Sequence, residues 1–317
     1  MITPINELDR VEILTLQDNC IDLTTRDDTE VLKRARPVKQ SGEVNSIIAE
    51  HGFSTFVTVF KGEKSRSMLF DFGFSEFGAA YNAEALEVNL TQVEALALSH
   101  GHMDHYSGLR QLARLVGRTN LEFVVHPAAF RAPRYRKVSG DNKFYAPSLS
   151  RDAVEAAGCL LTETETPYPL LENSVLFLGA VPRRTGFEKG DANRFYEEKG
   201  EEKIDTVEED TAIVFNVRHK GLVVLTGCAH SGIINTVNYA REQTGQDKVF
   251  AIMGGFHLPS PFFDPVLEPT TEALKQLNPD FVAPTHCTGR KAIMHIEKEM
   301  PDRFLFNMAG TKMIFAA

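Results

Sequence analysis

Residues 93–108 read VEALALSHGHMDHYSG, an apolar run that leads directly into three histidines and an aspartate. In an extended chain, alternate side chains point the same way, so His100 and His102 can bind one metal ion. Asp104 and His105 are adjacent and would diverge in a strand. They can face a second ion only if the chain turns, which the helix start SGL that follows allows. The stretch therefore predicts a site for two metal ions at the end of a buried strand.

The ligand types narrow the choice of metal. Imidazole and carboxylate together suit Zn²⁺, Mn²⁺ or iron, and two ions about 3.5–4 Å apart could share a bridging hydroxide. Gly101 removes a side chain where we expect the backbone to pass close to the ions. A solvated histidine-rich loop is the alternative, and four ligand side chains at this spacing after a buried strand argue against it.

Short apolar runs separated by turn residues recur along the chain and predict strands. They lie at 11–16, 53–60, 67–73, 93–100, 174–179, 211–217, 221–227, 248–255, 280–286 and 313–316. Amphipathic patterns predict helices within 107–117, 232–245 and 268–278. Early strands follow one another closely and later ones alternate with helices, so we expect sheets covered by helices on their outer faces.

Two polar stretches interrupt this pattern. Residues 131–149 carry a basic cluster with tyrosines, and residues 183–210 run from basic to strongly acidic. Loops of this length are usually functional lids or mobile linkers. We therefore predict a single domain over 1–317 with irregular loop insertions at these two places.

Composition restricts the partners. The chain has 317 residues, 43% hydrophobic content and a formal net charge of −9, which argues against nucleic acid and anionic membranes as partners. No segment approaches the roughly 18 apolar residues of a membrane span, and the first residues lack the pattern of a signal peptide. The four cysteines are far apart and indicate neither a disulfide scaffold nor a zinc ribbon. We expect a soluble, cytoplasmic protein with a small-molecule substrate, and its oligomeric state stays open.

The pattern His-x-His-x-Asp-His resembles the signature of the metallo-β-lactamase superfamily. The resemblance implies a four-layer αββα sandwich with a dinuclear metal site at one edge between the sheets. Asp71, in LFDFG, stands where the superfamily has an aspartate at the end of a strand. That aspartate does not bind metal itself but supports a residue that does. His286, in PTHCTG, resembles the last ligand and would join Asp104 and His105 at the second ion.

The middle ligands depart from that family's pattern. Most members supply a third histidine to the first ion and a bridging aspartate in a TGD turn, whereas this chain reads TGCAH. Cys228 stands at the aspartate position and His230 follows two residues later, and no histidine lies between His126 and His219. Either His230 or Asp210 could complete the first ion, and we favour His230 because it follows a buried strand. Cys228 is either a thiolate ligand or a small buried residue.

Five further stretches resemble one branch of the superfamily, the 7,8-dihydropterin-6-methyl-4-(β-D-ribofuranosyl)aminobenzene-5′-phosphate synthases. They lie at 49–57, 181–190, 221–237, 254–258 and 284–289. The resemblance implies that the enzyme joins a dihydropterin methyl pyrophosphate to an aminobenzene ribose phosphate, with loss of pyrophosphate. Metal ions would act as Lewis acids on the pyrophosphate leaving group. His257, in GGFHL, could then bind metal, orient a ligand or protonate the leaving group, or be an ordinary loop histidine.

Basic residues in the two polar stretches are candidate phosphate ligands because guanidinium matches phosphate oxygens bidentately. We predict Arg183 and Arg184 in this role. A second cluster is a further candidate, and it comprises Arg131, Arg134, Arg136 and Lys137. Aromatic side chains could stack on a flat pterin, namely Tyr135, Tyr145, Phe187 and Phe195. Ordinary loop surface is the alternative for each of these residues.

The leading hypothesis is a dinuclear metal-dependent enzyme that acts on an anionic, phosphorylated small molecule. A dihydropterin pyrophosphate transferase is one enzyme of this kind. We expect two divalent ions, with zinc favoured over manganese, iron or magnesium. The first alternative is a metal-hydroxide hydrolase of a phosphodiester, lactone or thioester, in which Asp104 orients the water. A di-iron reductase of oxygen or nitric oxide is disfavoured because its relatives carry glutamate where this chain has His102. A non-catalytic metal-binding protein is the remaining alternative.

Overall fold

The computed structural model describes residues 2–39, 42–139, 142–259 and 261–317. In chain order the strands are β1 (Glu7–Leu8), β2 (Arg10–Gln17), β3 (Leu32–Lys33), β4 (Ser54–Lys61), β5 (Lys64–Phe72), β6 (Val93–Ala97), β7 (Leu121–Val125), β8 (Arg134–Ser139), β9 (Asn142–Ala146), β10 (Cys159–Glu163), β11 (Tyr168–Leu170), β12 (Val175–Phe177), β13 (Phe195–Glu198), β14 (Glu201–Ile204), β15 (Ala212–Val217), β16 (Gly221–Thr226), β17 (Val249–Gly255), β18 (Phe281–Thr285) and β19 (Lys312–Ala316). The α-helices are α1 (Gly78–Ala85), α2 (Met103–Tyr106), α3 (Leu109–Val116), α4 (Arg151–Ala156), α5 (Ile233–Thr244), α6 (Asp264–Leu277) and α7 (Arg290–Glu299). Short 3₁₀ helices cover Leu90–Gln92, Pro127–Phe130 and His286–Thr288.

Two large mixed sheets carry most of the strands. The first has eight strands in the order β10-β7-β6-β5-β4-β2-β19-β3, and β5, β6, β7 and β10 run parallel. The second has the order β11-β12-β15-β16-β17-β18 with β1 beside β15, and β16, β17 and β18 run parallel. Each apolar run that predicted a strand holds one. The parallel strands of both sheets are the ones that lead into the functional site.

The two sheets pack face to face between helices. Among the described residues, one apolar cluster fills the space between the sheets, a second joins the first sheet to α1, α3 and α4, and a third joins the second sheet to α5, α6 and α7. Strand β6 shows how the sequence produces these layers, because Ala95 and Ala97 face the other sheet while Leu96 faces the helices. The predicted αββα sandwich is confirmed.

A small third sheet replaces much of the irregular structure predicted at 131–149 and 183–210. It has the order β14-β13-β8-β9 and joins the two polar stretches through the pairing of β8 with β13. We call these four strands the lid sheet. Aromatic rings on neighbouring strands hold it together: Tyr135 stacks on Phe195 with ring centroids 5.8 Å apart, and Tyr145 lies 5.2 Å from Tyr135. Charged and aromatic residues are mixed in these strands, so no apolar run signals them.

No helix in the described ranges combines the length and apolar character needed to cross a membrane.

Candidate metal centre and substrate cavity

The candidate ligands come together where parallel strands of both sheets end. His100 and His102 follow β6, and the short helix α2 carries Asp104 and His105. From the second sheet, Cys228 and His230 follow β16, His257 follows β17 and His286 follows β18. Such strand ends are where ligands bind in sheets of parallel strands, because the loops there are free to carry polar side chains. The site thus draws on both sheets.

A first group of ligand atoms comes from His100, Cys228 and His230, which lie within 4.8 Å of one another. Among the described residues, the Nε2 atoms of His100 and His230 are buried without a hydrogen-bond partner. Burial lowers the pKa of both histidines well below the usual value, so their rings are neutral and offer lone pairs. Buried orphan imidazole nitrogens beside a thiol fit a metal ion.

His102 lies at the edge of this first group. Its ring centroid is 4.6 Å from that of His100 and 4.9 Å from that of His230. Its Nε2, however, lies 3.0 Å from the Nη1 of Arg194, a guanidinium of the segment that leads into β13. Binding of His102 to a metal through Nε2 would require that guanidinium to move, so its predicted role as a ligand stays a prediction.

A second group comes from His105, Cys228 and His286, whose ligand atoms also lie within 4.8 Å of one another. Oδ2 of Asp104 is 3.2 Å from Nε2 of His286 and 3.6 Å from Nε2 of His105. Burial disfavours the charged imidazolium of His105, yet Asp104 and Asp71 together raise its pKa to about 10. Positive charge is therefore favoured here, which suits a bound cation.

Asp71 holds His105 in position. Its Oδ2 accepts hydrogen bonds from Nδ1 of His105 and from Oγ of Ser99, both at 2.7 Å, and its Oδ1 accepts one from the backbone N–H of Ser99 at 2.7 Å. Because Asp71 holds a proton on Nδ1, Nε2 is the nitrogen that would give up its proton to bind a metal ion in the second group. This is the supporting contact that the family resemblance implies for Asp71.

Interatomic distances distinguish the three residues that could complete the ligand set of the first ion. His230 and Cys228 belong to the first group, and Cys228 belongs to the second as well. Asp210 belongs to neither group in the described part of the chain, and its Oδ2 accepts a hydrogen bond from the backbone N–H of Ser231 at 2.8 Å. Burial raises the pKa of Asp210 to about 6. The geometry favours His230 over Asp210.

His257 also lies in the site. Its ring centroid is 4.0 Å from that of His230, its backbone is left-handed with φ of 43°, and its Nδ1 is buried without a partner among the described residues. Its ligand atom lies within 4.8 Å of those of Cys228 and Cys287. Its roles as a metal ligand, as an orienting residue and as a proton donor all stay predictions. Its burial differs from that of an ordinary solvated loop histidine.

Several site residues escaped sequence analysis. His51 points its Nε2 at Oδ2 of Asp104, 3.4 Å away, and is largely exposed. The loop after β2 holds His286 in its left-handed conformation, because Asn19 donates to the His286 carbonyl at 3.0 Å and Asp18 accepts from its N–H at 3.2 Å. A signal for Asp18 was available, since it directly follows the apolar strand β2.

A cavity of about 410 Å³ opens above the two groups. Its floor includes His102, Asp104, Cys228, His230 and His257. The lid sheet and adjoining segments supply aromatic and cationic walls, namely Tyr135, Arg136, Phe144, Arg194 and Phe195. The cavity is large enough for a small molecule and places cationic side chains opposite the candidate metal ligands.

The predicted phosphate ligands Arg183 and Arg184 do not line this cavity. Nη2 of Arg183 donates to the carbonyl of His230 at 3.2 Å, and the guanidinium of Arg184 pairs with Glu242 on α5. Among the aromatic candidates, Phe187 lines a separate cavity of about 220 Å³ that shares His230 and His257. From the second basic cluster, Arg134 and Arg136 reach the larger cavity.

A buried ion-pair cluster fastens the lid sheet to the ligand loop. Nη1 of Arg134 lies 2.6 Å from Oε1 of Glu209, and its Nε lies 3.0 Å from Oδ2 of Asp205. Oε1 of Glu209 also accepts a hydrogen bond from the backbone N–H of Gly101 at 3.3 Å. A Cβ at Gly101 would lie 2.3 Å from the carbonyl oxygen of Ala129. The close approach at Gly101 is therefore to this neighbouring backbone, and the expectation that the chain here also passes close to the ions stays a prediction.

Comparison with known proteins places these features in context. The family described as Metallo-beta-lactamase superfamily matches residues 51–286. Over 264 residues the chain is 28% identical to the 7,8-dihydropterin-6-methyl-4-(beta-D-ribofuranosyl)-aminobenzene-5'-phosphate synthase of Methanocaldococcus jannaschii, which covers 81% of this chain and 87% of that protein. An uncharacterized protein of the same organism is 28% identical over 255 residues, covering 79% of this chain and 88% of its own. The crystal structure of a metal-dependent hydrolase of the beta-lactamase superfamily superposes with a TM-score of 0.72 at 24% identity, covering 97% of this chain and 100% of that one.

Proposed function

The chain belongs to the metallo-β-lactamase superfamily, and from that premise we propose that it is a dinuclear metal-dependent enzyme acting on an anionic, phosphorylated small molecule. His100, His102 and His230 would hold the first ion, and Asp104, His105 and His286 the second. The buried orphan nitrogens of the first group and the acidic surroundings of His105 support this assignment. When bound, the ions would polarise phosphoryl oxygens as Lewis acids.

The pair of arginines in the cavity wall is the observation that supports an anionic, phosphorylated substrate. Arg136 and Arg194 both reach Oδ2 of Asp191, at 2.7 and 3.3 Å, so two guanidinium groups share one carboxylate, and Arg194 also lies beside His102. Two guanidinium groups with only one shared carboxylate between them can turn their remaining N–H donors to an anion, and guanidinium suits phosphate oxygens. We propose that Arg136 and Arg194 take the role predicted for Arg183 and Arg184.

Aromatic side chains support a flat organic group on the substrate. Phe144, Phe195 and Tyr135 line the cavity beside the two arginines. A pterin is one such group, and the M. jannaschii relative carries a pterin synthase name. We therefore propose a phosphate or pyrophosphate ester of a planar heterocycle as substrate, with a dihydropterin methyl pyrophosphate as the first compound to assay.

Two residues are proposed to act on the reacting groups. Oδ2 of Asp104 faces both histidines of the second group and can accept a proton from an incoming nucleophile, which orients it. His257 lines the cavity and its Nδ1 has no hydrogen-bond partner among the described residues, so it can approach a leaving oxygen.

The test is a substrate panel with protein loaded with Zn²⁺, Mn²⁺, Fe²⁺ or Mg²⁺. Pterin methyl pyrophosphate with an aminobenzene ribose phosphate, a phosphodiester, a lactone and a thioester are assayed with product analysis, which separates transfer from hydrolysis. We expect metal-dependent turnover of the phosphorylated compounds. Turnover of none of them by protein with metal bound, or of the lactone or thioester alone, contradicts the proposal.

Variants sharpen the same test. Hydrogen bonds to a charged group contribute about 1.5–3 kcal/mol, so Arg136→Gln and Arg194→Gln should each raise KM for a phosphorylated substrate by about 10- to 100-fold. Arg218→Gln is the matched control. Arg218 pairs with Asp9 beyond the end of β15, at the opposite end of that sheet from the site, and its loss should leave KM unchanged.

A further inference from the structure

We propose that the thiolate of Cys228 bridges the two metal ions, in the position where the sequence pattern of the superfamily carries an aspartate. The proposal rests on the dinuclear centre proposed above. Its basis is that Cys228 is common to both ligand groups: its Sγ lies within 4.8 Å of the ligand nitrogens of His100 and His230, and equally of those of His105 and His286. Nε2 of His105 is 3.2 Å from the sulfur.

The surroundings of Cys228 are those of a ligand rather than of a core residue. Cys159 is also buried, and it packs in the apolar cluster between the first sheet and its helices. Cys228 belongs to none of the apolar clusters formed by the described residues, although it is only 2% exposed. Its neighbours are imidazoles, and two of their nitrogens lack any hydrogen-bond partner in the described ranges. Such nitrogens beside a sulfur indicate a cation that all of them bind.

The backbone turn that carries Cys228 is built against the supporting aspartate. A Cβ at Gly227 would lie 2.0 Å from Oγ of Ser99 and 2.5 Å from Oδ2 of Asp71, so only glycine allows this approach. Ala229 then adopts a left-handed conformation with φ of 53°. The turn brings the residue before Cys228 against the same Asp71 that orients His105, so the two candidate ligands are positioned side by side.

A bridging thiolate has consequences for metal choice. When the ions bind, the thiol proton is released to solvent and the sulfur donates one lone pair to each ion, with no change of oxidation state. Soft sulfur favours zinc or iron, whereas magnesium and manganese prefer oxygen ligands. The centre should therefore select zinc or iron from the wider set that histidine and aspartate alone allow.

The experiment uses Co²⁺ as a spectroscopic probe on the full chain freed of metal. Thiolate bound to Co²⁺ gives an intense near-ultraviolet charge-transfer absorption. We expect the wild-type chain to bind two Co²⁺ and this absorption to grow through both the first and the second equivalent. In Cys228→Asp, which restores a bridging carboxylate, two Co²⁺ should bind without the absorption. Cys228→Ser should also lose it.

Cys287→Ser is the matched control. Cys287 lines the same cavity, and its Sγ lies within 4.8 Å of the ligand atoms of Cys228 and His257, but it belongs to neither of the two groups that the proposed bridge joins. It therefore tests whether the other thiol of the cavity is the source of the absorption. This variant should keep the absorption. Retention of the absorption in Cys228→Asp, or its loss in Cys287→Ser, overturns the proposal, as does absorption that stops growing after one equivalent.

A second measurement covers the case in which the Cys228 variants do not fold. The wild-type chain loaded with ¹¹³Cd²⁺ should give two cadmium resonances, both displaced in the direction typical of sulfur ligation. One displaced resonance or none would overturn the bridge. Neither measurement involves a substrate, so a sulfur-bridged centre without turnover refutes the proposed reaction alone, and turnover without sulfur ligation refutes the bridge alone.

Discussion

Three of the buried candidate ligand histidines, His100, His105 and His286, have a partner on the nitrogen that faces away from the metal groups. Nδ1 of His100 lies 2.8 Å from Oγ of Ser99, Nδ1 of His105 lies 2.7 Å from Asp71, and Nδ1 of His286 lies 3.3 Å from Oδ1 of Asn19. Such partners fix the tautomer and the ring direction and so raise metal affinity. The acceptors in the three contacts are a hydroxyl, a carboxylate and an amide oxygen, and only the carboxylate of Asp71 is charged.

Asp71→Asn tests this orienting role. Asparagine tolerates the left-handed backbone at this position, where φ is 58°, so the fold should survive. The amide removes the charge that holds the proton on Nδ1 of His105, and we expect metal affinity to fall by about 10- to 100-fold. Competition with a chromogenic chelator measures it. Asp152→Asn, at an exposed carboxylate on α4, is the control, and equal affinity of the two variants would refute the role.

The site residues that sequence analysis found and those it missed differ in how far apart their contacts lie along the chain. His100, His102, Asp104 and His105 are adjacent, so their spacing alone predicts a joint role. Arg194 reaches His102 across 92 positions, and no local pattern encodes that contact. Arg184 illustrates the complementary case. Its sequence neighbourhood is basic, which suggested a phosphate ligand, but its guanidinium pairs with Glu242 on the distant helix α5.

At the scale of elements, the lid sheet depends on one buried cluster more than on its surface charges. Arg134 is 4% exposed and lies between Glu209 and Asp205, which are both buried. Removing one partner of such a cluster leaves uncompensated buried charge. Lys143 of the same sheet pairs with Glu197 at 2.9 Å, but both side chains keep contact with water. The two ion pairs should therefore differ widely in their effect on stability.

Arg134→Met and Lys143→Met form a matched pair that tests this difference. We expect Arg134→Met to lower the free energy of unfolding by about 3–5 kcal/mol and Lys143→Met by about 1 kcal/mol or less. Urea denaturation followed by circular dichroism measures both. Limited proteolysis of the segment 131–149 should accelerate in the first variant only. Similar losses of stability in the two variants would show that the buried cluster does not fasten the lid sheet.

Glu188 links the second polar stretch to helix α5. Its Oε1 accepts a hydrogen bond from the N–H of Ile234 and its Oε2 one from that of Asn235, both at 2.9 Å. These are first-turn amides that the helix cannot satisfy itself. Burial raises the pKa of the Glu188 carboxyl above its ordinary value, although the two amides, Thr185 and Arg183 oppose that shift.

The raised pKa of Glu188 sets the sign of a pH effect. As pH rises from the ordinary value of 4.5 to the raised value, the unfolded chain loses a proton that the folded chain keeps. Stability of the wild type should fall in this window, by up to about 1.4 kcal/mol per pH unit, relative to Glu188→Gln. Unfolding of both proteins in urea between pH 4 and pH 7 measures the difference. A wild type that gains stability on the variant toward neutral pH would contradict the assignment.

The sequence predicted the core strands well because each is a continuous apolar run buried on both faces. Strand β6 reads VEALA, and the parallel strands β16 and β17 are similar. The lid strands β8 and β13 instead mix charged and aromatic residues, and they pair with each other through Tyr135 with Phe195 and Arg134 with Tyr196, across 60 and 62 positions of the chain. Each strand also forms a local hairpin, β8 with β9 and β13 with β14, but these strands are short and carry no apolar run. The pairing between the two insertions leaves no local signal either, which is why both stretches were predicted to be irregular.

At the scale of the whole molecule, the metal centre joins the two sheets. The end of β5 supplies Asp71 and the segment after β6 supplies His100 and His105 from the first sheet, and the segments after β16 and β18 supply Cys228 and His286 from the second. The apolar cluster between the sheets already holds them together, so the ions would add to an existing interface. Metal that binds only the folded chain must therefore raise the stability of both sheets at once.

Removal of metal should accordingly destabilise the entire molecule. At a free metal concentration of 100 times Kd, each site adds about 2.7 kcal/mol to the free energy of unfolding. We expect dialysis against a chelator to lower the urea midpoint and added Zn²⁺ to restore it. Hydrogen exchange should accelerate in the segments 99–106, 227–231 and 284–289 together. His286→Ala should remove the part of the shift that comes from the second ion. If chelation left the midpoint unchanged, the two sheets would not share a metal centre.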